Sequence, residues 1–71
     1  MTETSTIDEL KVRVKRLNSE AGRLKLDLHD LAEDLPKDWE TIMEVAQRVH
    51  EKYVDLMAAR RQLAELEKRT E

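Results

Sequence analysis

The sequence predicts an all-α fold, an antiparallel two-helix hairpin of coiled-coil type that oligomerises into a four-helix or larger bundle. Three observations carry this. Apolar residues recur with heptad spacing in two separate runs, and the only proline, Pro36, lies between them. Positions taken from the two runs also pair in order when their residue numbers add to 73, the constant sum that an antiparallel hairpin requires.

The chain reads as one domain, 1–71, with residues 1–6 polar and expected to fray. A first helix is predicted over 7–34. Thr6 and Glu9 stand three apart, the spacing at which a hydroxyl and a carboxylate satisfy two orphan amides at a helix start. From there Ile7, Leu10, Val14, Leu17, Ala21, Leu24, Leu28, Leu31 and Leu35 form an unbroken seam. Pro36 disfavours helical geometry at Leu35 and cannot donate to a continuing helix, so a turn is predicted over 35–38. Asp38 is then read as the side-chain cap of a second helix over 39–69. Its seam is Ile42, Val45, Val49, Lys52, Leu56, Ala59, Leu63 and Leu66, and the short turn forces it antiparallel to the first. At about 1.5 Å per residue each helix should be about 40 Å long.

One layer of this seam is polar, with Lys52 opposite Ala21. A lysine there is expected to run its ammonium outward along its own stem, and a single polar seam position fixes register or oligomer state. That structural role is preferred to a functional lysine.

Composition explains why one copy should not suffice. The 71 residues include one tryptophan, one tyrosine, no phenylalanine and no cysteine, which leaves little area for a core and nothing to staple it. Thirteen basic and sixteen acidic side chains are mixed along the chain, a pattern that suits solvated helical faces and not polyanion binding. Lacking both a signal-peptide pattern and an apolar run near the ~20 residues of a membrane span, the protein is expected to be cytoplasmic.

Helix two carries a second apolar row beside its seam. Trp39, Met43, Ala46, His50, Tyr53 and Met57 recur at spacings of four and three, and one hairpin cannot bury both rows. On helix one the matching face holds Asn18, Gly22, Lys25, His29 and Ala32. Gly22 costs about 1 kcal/mol relative to alanine inside a helix, and close approach of another helix at Gly22 and Ala32 would account for it. The expected use of both faces is a contact between copies or with another protein.

Metal chemistry is the alternative. His29 and Glu33 are four apart on one helical face and could share a divalent ion. His50 is the only other histidine, and about 10 Å of helix separates its level from that of His29, so only side-by-side chains could combine them. Asp30, Glu33 and Asp34 also crowd the helix end where the macrodipole favours positive charge. The structural account pairs Asp27 with Arg48 and gives Asp34 to the turn amides. With no nucleophile paired to a base, no phosphate-cradling glycine loop and no enclosed pocket in so thin a fold, the chain is not expected to be an enzyme.

The run Leu17-Asn18-Ser19-Glu20-Ala21-Gly22-Arg23-Leu24-Lys25-Leu26-Asp27-Leu28-His29-Asp30-Leu31-Ala32-Glu33-Asp34-Leu35-Pro36, followed by Asp38-Trp39-Glu40, resembles the Rop-like family of small proteins encoded among nitrogen-fixation genes. The resemblance extends from about Leu10 to Leu66. It implies a self-associating helical hairpin of nitrogen-fixing bacteria, encoded near proteins that assemble or carry the nitrogenase iron–molybdenum cofactor; no cofactor is expected to be required, with a divalent metal or an indirect link to that cofactor as the alternative. Three functions follow in order: an accessory or assembly factor acting on itself or a protein partner, a metal or metallocluster handler, and an RNA binder of Rop type resting on Lys11, Arg13, Lys15 and Arg16. Those four side chains point in several directions around the helix and the chain is acidic, so nucleic acid is not the expected partner.

Overall fold

The computed structural model describes residues 3–69, and side chains within the first helix from Thr6 onward. Two α-helices, α1 (Glu3–Asp34) and α2 (Ile42–Arg69), pack along their lengths as a hairpin, joined by a turn and a short 3-10 segment, Trp39–Thr41. There are no strands among the described residues.

α1 ends at Asp34, where Pro36 leads the sequence to end it, but it begins earlier than the Thr6 motif suggests. Thr6 is already inside the helix, so it does not cap it, and Glu3 to Thr6 are helical where fraying was expected; Met1 and Thr2 lie outside the described residues. The physical reason is that nothing from Glu3 to Thr6 breaks a helix, and once a nucleus exists each added residue gains a hydrogen bond at low cost. The longer α1 also accounts for a molecule 51 Å long and only 16 by 14 Å across.

The turn is tighter and more backbone-driven than a side-chain cap would make it. Amides of Leu35, Lys37 and Trp39 donate to the carbonyls of Ala32, Asp34 and Pro36 at 3.5, 3.0 and 3.2 Å, a succession of i to i+3 bonds. The Leu35–Pro36 peptide bond is cis. Asp38 has φ 59°, the left-handed region that aspartate tolerates better than most residues, and its carboxylate makes no capping bond. The turn is closed instead by Thr41, whose amide and Oγ1 both donate to the Asp38 carbonyl, at 3.0 and 2.8 Å. At the far end, Lys68 and Arg69 place positive charge in the last turn of α2, where the dipole favours it.

The core is short. Leu17, Ala21, Leu56 and Ala59 are buried, with Val14 and Tyr53 packed against them. Two pairs of this cluster fit the sum of 73, Leu17 with Leu56 and Val14 with Ala59, while Tyr53 joins from the row beside the seam. Seam residues toward both ends, from Ile7 to Leu31 and from Ile42 to Leu66, are half-buried, so the seam is real but one helix covers only one side of it. The hairpin exposes 5815 Å². A compact monomer of 8.4 kDa would expose about 4,600 Å² by the usual size scaling, so the hairpin shows roughly 1,200 Å² more than a closed fold of its mass.

Candidate functional site

Heptad geometry divides the hairpin into two flanks on either side of the seam. In an antiparallel pair, positions that follow a seam residue on one helix lie beside the same kind of position on the other. One flank therefore combines Ala46, Tyr53 and Arg60 of α2, and Trp39 in the 3-10 segment before it, with Lys11, Asn18, Lys25 and Ala32 of α1. The opposite flank carries Arg13, Glu20, Asp27 and Asp34 with Thr41, Arg48, Asp55 and Gln62.

Polar pairing dominates the second of these. Lys52, the polar seam residue, reaches out to Glu20, with Nζ 3.0 Å from Oε1, while Ala21 behind it is fully buried. The lysine thus runs its stem along the core and ends on a specific carboxylate. The hydrogen bond from Lys52 holds the Glu20 carboxyl below the usual glutamate range, helped by the Lys52, Arg16 and Arg23 charges and opposed by partial desolvation. Glu20 was not singled out by sequence, although its place one residue before Ala21 on this flank was the available signal. Arg48 pairs with Glu44 at 3.8 Å, one turn away on its own helix, which corrects the expected pairing with Asp27. In the turn it is the Asp34 backbone carbonyl, not its side chain, that accepts the Lys37 amide.

The second apolar row starts in the 3-10 segment, since α2 begins at Ile42 and not at residue 39, and it lies largely in the open. Trp39 is 59% exposed, Met43 80% and Met57 53%. His50 is exposed, whereas Ala46 and Tyr53, next to the seam, are half-buried. Val54, which the sequence reading passed over, is 53% exposed and joins His50, Tyr53, Met57, Ala58 and Arg61 around a shallow open groove. Its signal was simply its position beside Tyr53. Val12 and Leu26 are the corresponding exposed residues of α1, also not anticipated. Ala32 is exposed, and Gly22 is half-buried with nothing within 4 Å of the place a Cβ would occupy. Within the hairpin no helix closes on Gly22, so the hairpin itself gives no reason for glycine there.

The histidine candidates do not converge. His29 Nε2 stands 3.8 Å from Glu33 and His29 Nδ1 3.7 Å from Asp30. The two carboxylates face opposite edges of the ring and cannot meet on one ion. Among the described residues no group of three or more His, Cys, Asp or Glu side chains could hold a metal, and His50 does not complete one with His29 and Glu33. Of the basic residues considered for RNA, Lys11 is 4.0 Å from Glu67 across the hairpin. No helix among the described residues is long and apolar enough to cross a membrane.

This hairpin and its sequence have clear relatives. The Rop-like family model matches residues 5–68. The UPF0437 protein of a Nostoc species is 46% identical over 65 residues, 92% of each chain, and that of Azorhizobium caulinodans is 44% identical over 63 residues, 89% of this chain and 91% of that one. A UPF0437 protein of Frankia alni, from a nifX-nifW intergenic region, is 54% identical over 44 residues, 62% of this chain and 54% of its own. No solved structure matches the chain. With nearly its whole length matched by the family model and by relatives of similar size, the chain belongs to the Rop-like family.

Proposed function

We propose that the protein is a non-catalytic, cytoplasmic accessory factor of nitrogen fixation that works by helix-face contacts with itself and with a protein partner. The observation that carries this reading is the exposed row that runs from the 3-10 segment into α2, where Trp39, Met43 and Met57 stand more than half open on an otherwise strongly charged surface. Large exposed apolar side chains gathered on one face mark contact surfaces, and of this row only Ala46 and Tyr53 are half-buried beside the hairpin's own seam. The nitrogen-fixation setting draws on the Frankia relative from the nifX-nifW intergenic region. The partner class that fits this setting is a protein that assembles or carries the nitrogenase iron–molybdenum cofactor.

The test joins two readouts. Trp39→Ala with Tyr53→Ala should abolish self-association, seen as a drop in mass by light scattering, and deletion of the gene should slow growth on dinitrogen but not on ammonium. An unchanged mass in the double variant would remove the row as an interface, and growth unaffected on both nitrogen sources would remove the setting.

A second reading, metal handling through His29, Glu33 and His50, is supported by the approach of His29 to Glu33. It requires a second chain to add ligands. Stoichiometric divalent metal in the purified protein, lost in His29→Ala with His50→Ala, would support it, and metal retained by that variant would exclude these ligands.

A further inference from the structure

The charges that are mixed along the chain are sorted across it. From Lys11 to Ala32 of α1 and from Ile42 to Leu66 of α2, the side that carries the apolar row, with the outward edge next to it, holds no aspartate or glutamate. The acids of these stretches, Glu20, Asp27 and Asp30 on α1 and four from Glu44 to Glu65 on α2, all fall on the opposite side. Five bases remain on the acid-free side, Lys11, Lys15, Lys25, Arg60 and Arg61, and all are exposed. Lys11 stands 4.0 Å from Glu67 at the edge of this zone, whereas the other four make no ion pair among the described residues.

The exposed apolar groups follow the same division. Of the seven large hydrophobic side chains that stand exposed among the described residues, Val12, Leu26, Trp39, Met43, Val54 and Met57 lie on this side, and only Leu35, in the turn, does not. The surface relief agrees with it. The groove beside Tyr53 and Met57 has Arg61 on its rim, a second groove between Val12 and Leu63 has Lys11 and Lys15, and neither contains a carboxylate. Two grooves of the opposite side each contain a pair, Glu9 and Glu65 in one, Glu20 and Asp27 in the other.

A partner for the acid-free side has to answer both features. It must bring apolar groups to cover two valines, two methionines, a leucine and an indole, and carboxylates to meet the four unpaired cations. A phosphate backbone would meet the charge, but it offers nothing to aliphatic and thioether groups that outnumber the two rings of this side. A second copy has the opposite fault, because it covers the apolar groups and doubles the positive charge with no acid in the zone to receive it. An acidic amphipathic helix answers both, and about 20 residues of it would span the roughly 30 Å from the level of Lys11 to that of Ala32.

We infer that the partner of this side is an acidic amphipathic helix of another protein, which lays its apolar stripe on the row and the two grooves and its carboxylates on Lys15, Lys25, Arg60 and Arg61. The inference rests on the reading of the row as a contact surface and adds the charge of what it contacts. Self-association leaves that charge unanswered, so the acidic helix displaces the second copy.

The probe is a pair of synthetic helices of about 21 residues, with leucine at the seam positions of each heptad, flanked by glutamate in one helix and by lysine in the other. In anisotropy titrations of the labelled helices with the full chain, the glutamate helix should bind at least about tenfold tighter than the lysine helix, by a margin that narrows as salt rises. Lys15→Glu with Lys25→Glu should weaken the glutamate helix about tenfold, while Arg16→Glu with Arg23→Glu, the same change of charge on the opposite side of α1, should weaken it less than about threefold. All four positions are exposed, so circular dichroism should find both variants as helical as the parent. Failure of either helix to bind, equal binding of both, or equal loss in the two variants would overturn the acidic partner, while the row as an interface stands or falls on the mass of Trp39→Ala with Tyr53→Ala. Tighter binding of single-stranded RNA or of anionic vesicles than of the glutamate helix would overturn it in favour of that ligand. Binding of the glutamate helix that survives Met43→Ala with Met57→Ala would overturn the row as its seat.

Discussion

The two flanks of this hairpin start from the same seam and end differently. On one, Lys52 ends on Glu20, Arg48 on Glu44, and the remaining positions are charged or polar. On the other, an indole, a phenol ring and two thioethers share a face with lysines of α1, and three of the four large apolar groups are more than half exposed. The hairpin's own core is the seam with Tyr53 packed beside it, and the charged flank shows what this chain does with a face that meets only water. The apolar flank departs from that pattern, and the departure is best explained by a surface kept for another helix. The thinness of the core points the same way, because four buried residues are a small foundation for two helices of 32 and 28 residues.

The comparison can be broken most severely at the seam. Leu56→Ala removes the most buried large side chain, 1% exposed, and should cost about 2–5 kcal/mol, enough to unfold a protein this small in circular-dichroism melts. Met43→Ala, on the exposed row at 80%, should leave the isolated hairpin within about 0.5 kcal/mol while weakening self-association. Equal effects of the two on the hairpin's own stability would mean that the row is part of the core.

The next effect separates the flanks directly. Trp39→Ala with Tyr53→Ala should convert the assembly to single chains, whereas Arg48→Ala with Asp55→Ala on the charged flank should not change its mass. A mass lost in the second pair and kept in the first would assign the interface to the wrong side.

Gly22 offers a smaller and subtler probe. Nothing lies within 4 Å of an added Cβ, so Gly22→Ala should stabilise the helix by up to about 1 kcal/mol, read as a higher melting temperature. A lower melting temperature would show that a second copy closes over α1 at that point, and that the interface reaches beyond the row of α2.

The smallest effect is the acid dependence of the polar layer. Glu20 is held below its usual range in the folded chain, so its contribution is present above the unfolded carboxylate range and is lost as the pH falls through the folded value. Glu20→Gln should therefore melt below the parent at neutral pH and converge with it in acid, in paired thermal melts from pH 7 down to 3. A gap that stays constant across that span would show that the carboxylate charge plays no part.

Much of this architecture was legible because heptad spacing is a repeated signal. Eight seam positions from Ile7 to Leu31 and eight from Ile42 to Leu66 agree on one antiparallel phase, so no single residue could mislead the reading. The helix starts were less legible for the opposite reason. Thr6-Ile7-Asp8-Glu9 and Asp38 are single local motifs, and in the folded chain helix propagation overrides the first and a left-handed backbone with Thr41 replaces the second. The row from Trp39 to Met57 could be placed from its spacing, but the half-burial of Ala46 and Tyr53 could not, since it depends on how far the seam reaches sideways. His29 and Glu33 are close, as their spacing implies; that Asp30 and Glu33 address opposite ring nitrogens is a matter of side-chain direction that spacing does not contain.

Sedimentation equilibrium of the untagged chain over a dilution series, with helicity followed in parallel, tests the central claim most directly. The account expects twice the 8.4 kDa of one chain at micromolar concentration, with the mass falling toward that of one chain and part of the helicity lost as dilution drives dissociation. A chain that stays fully helical at 8.4 kDa throughout would contradict it.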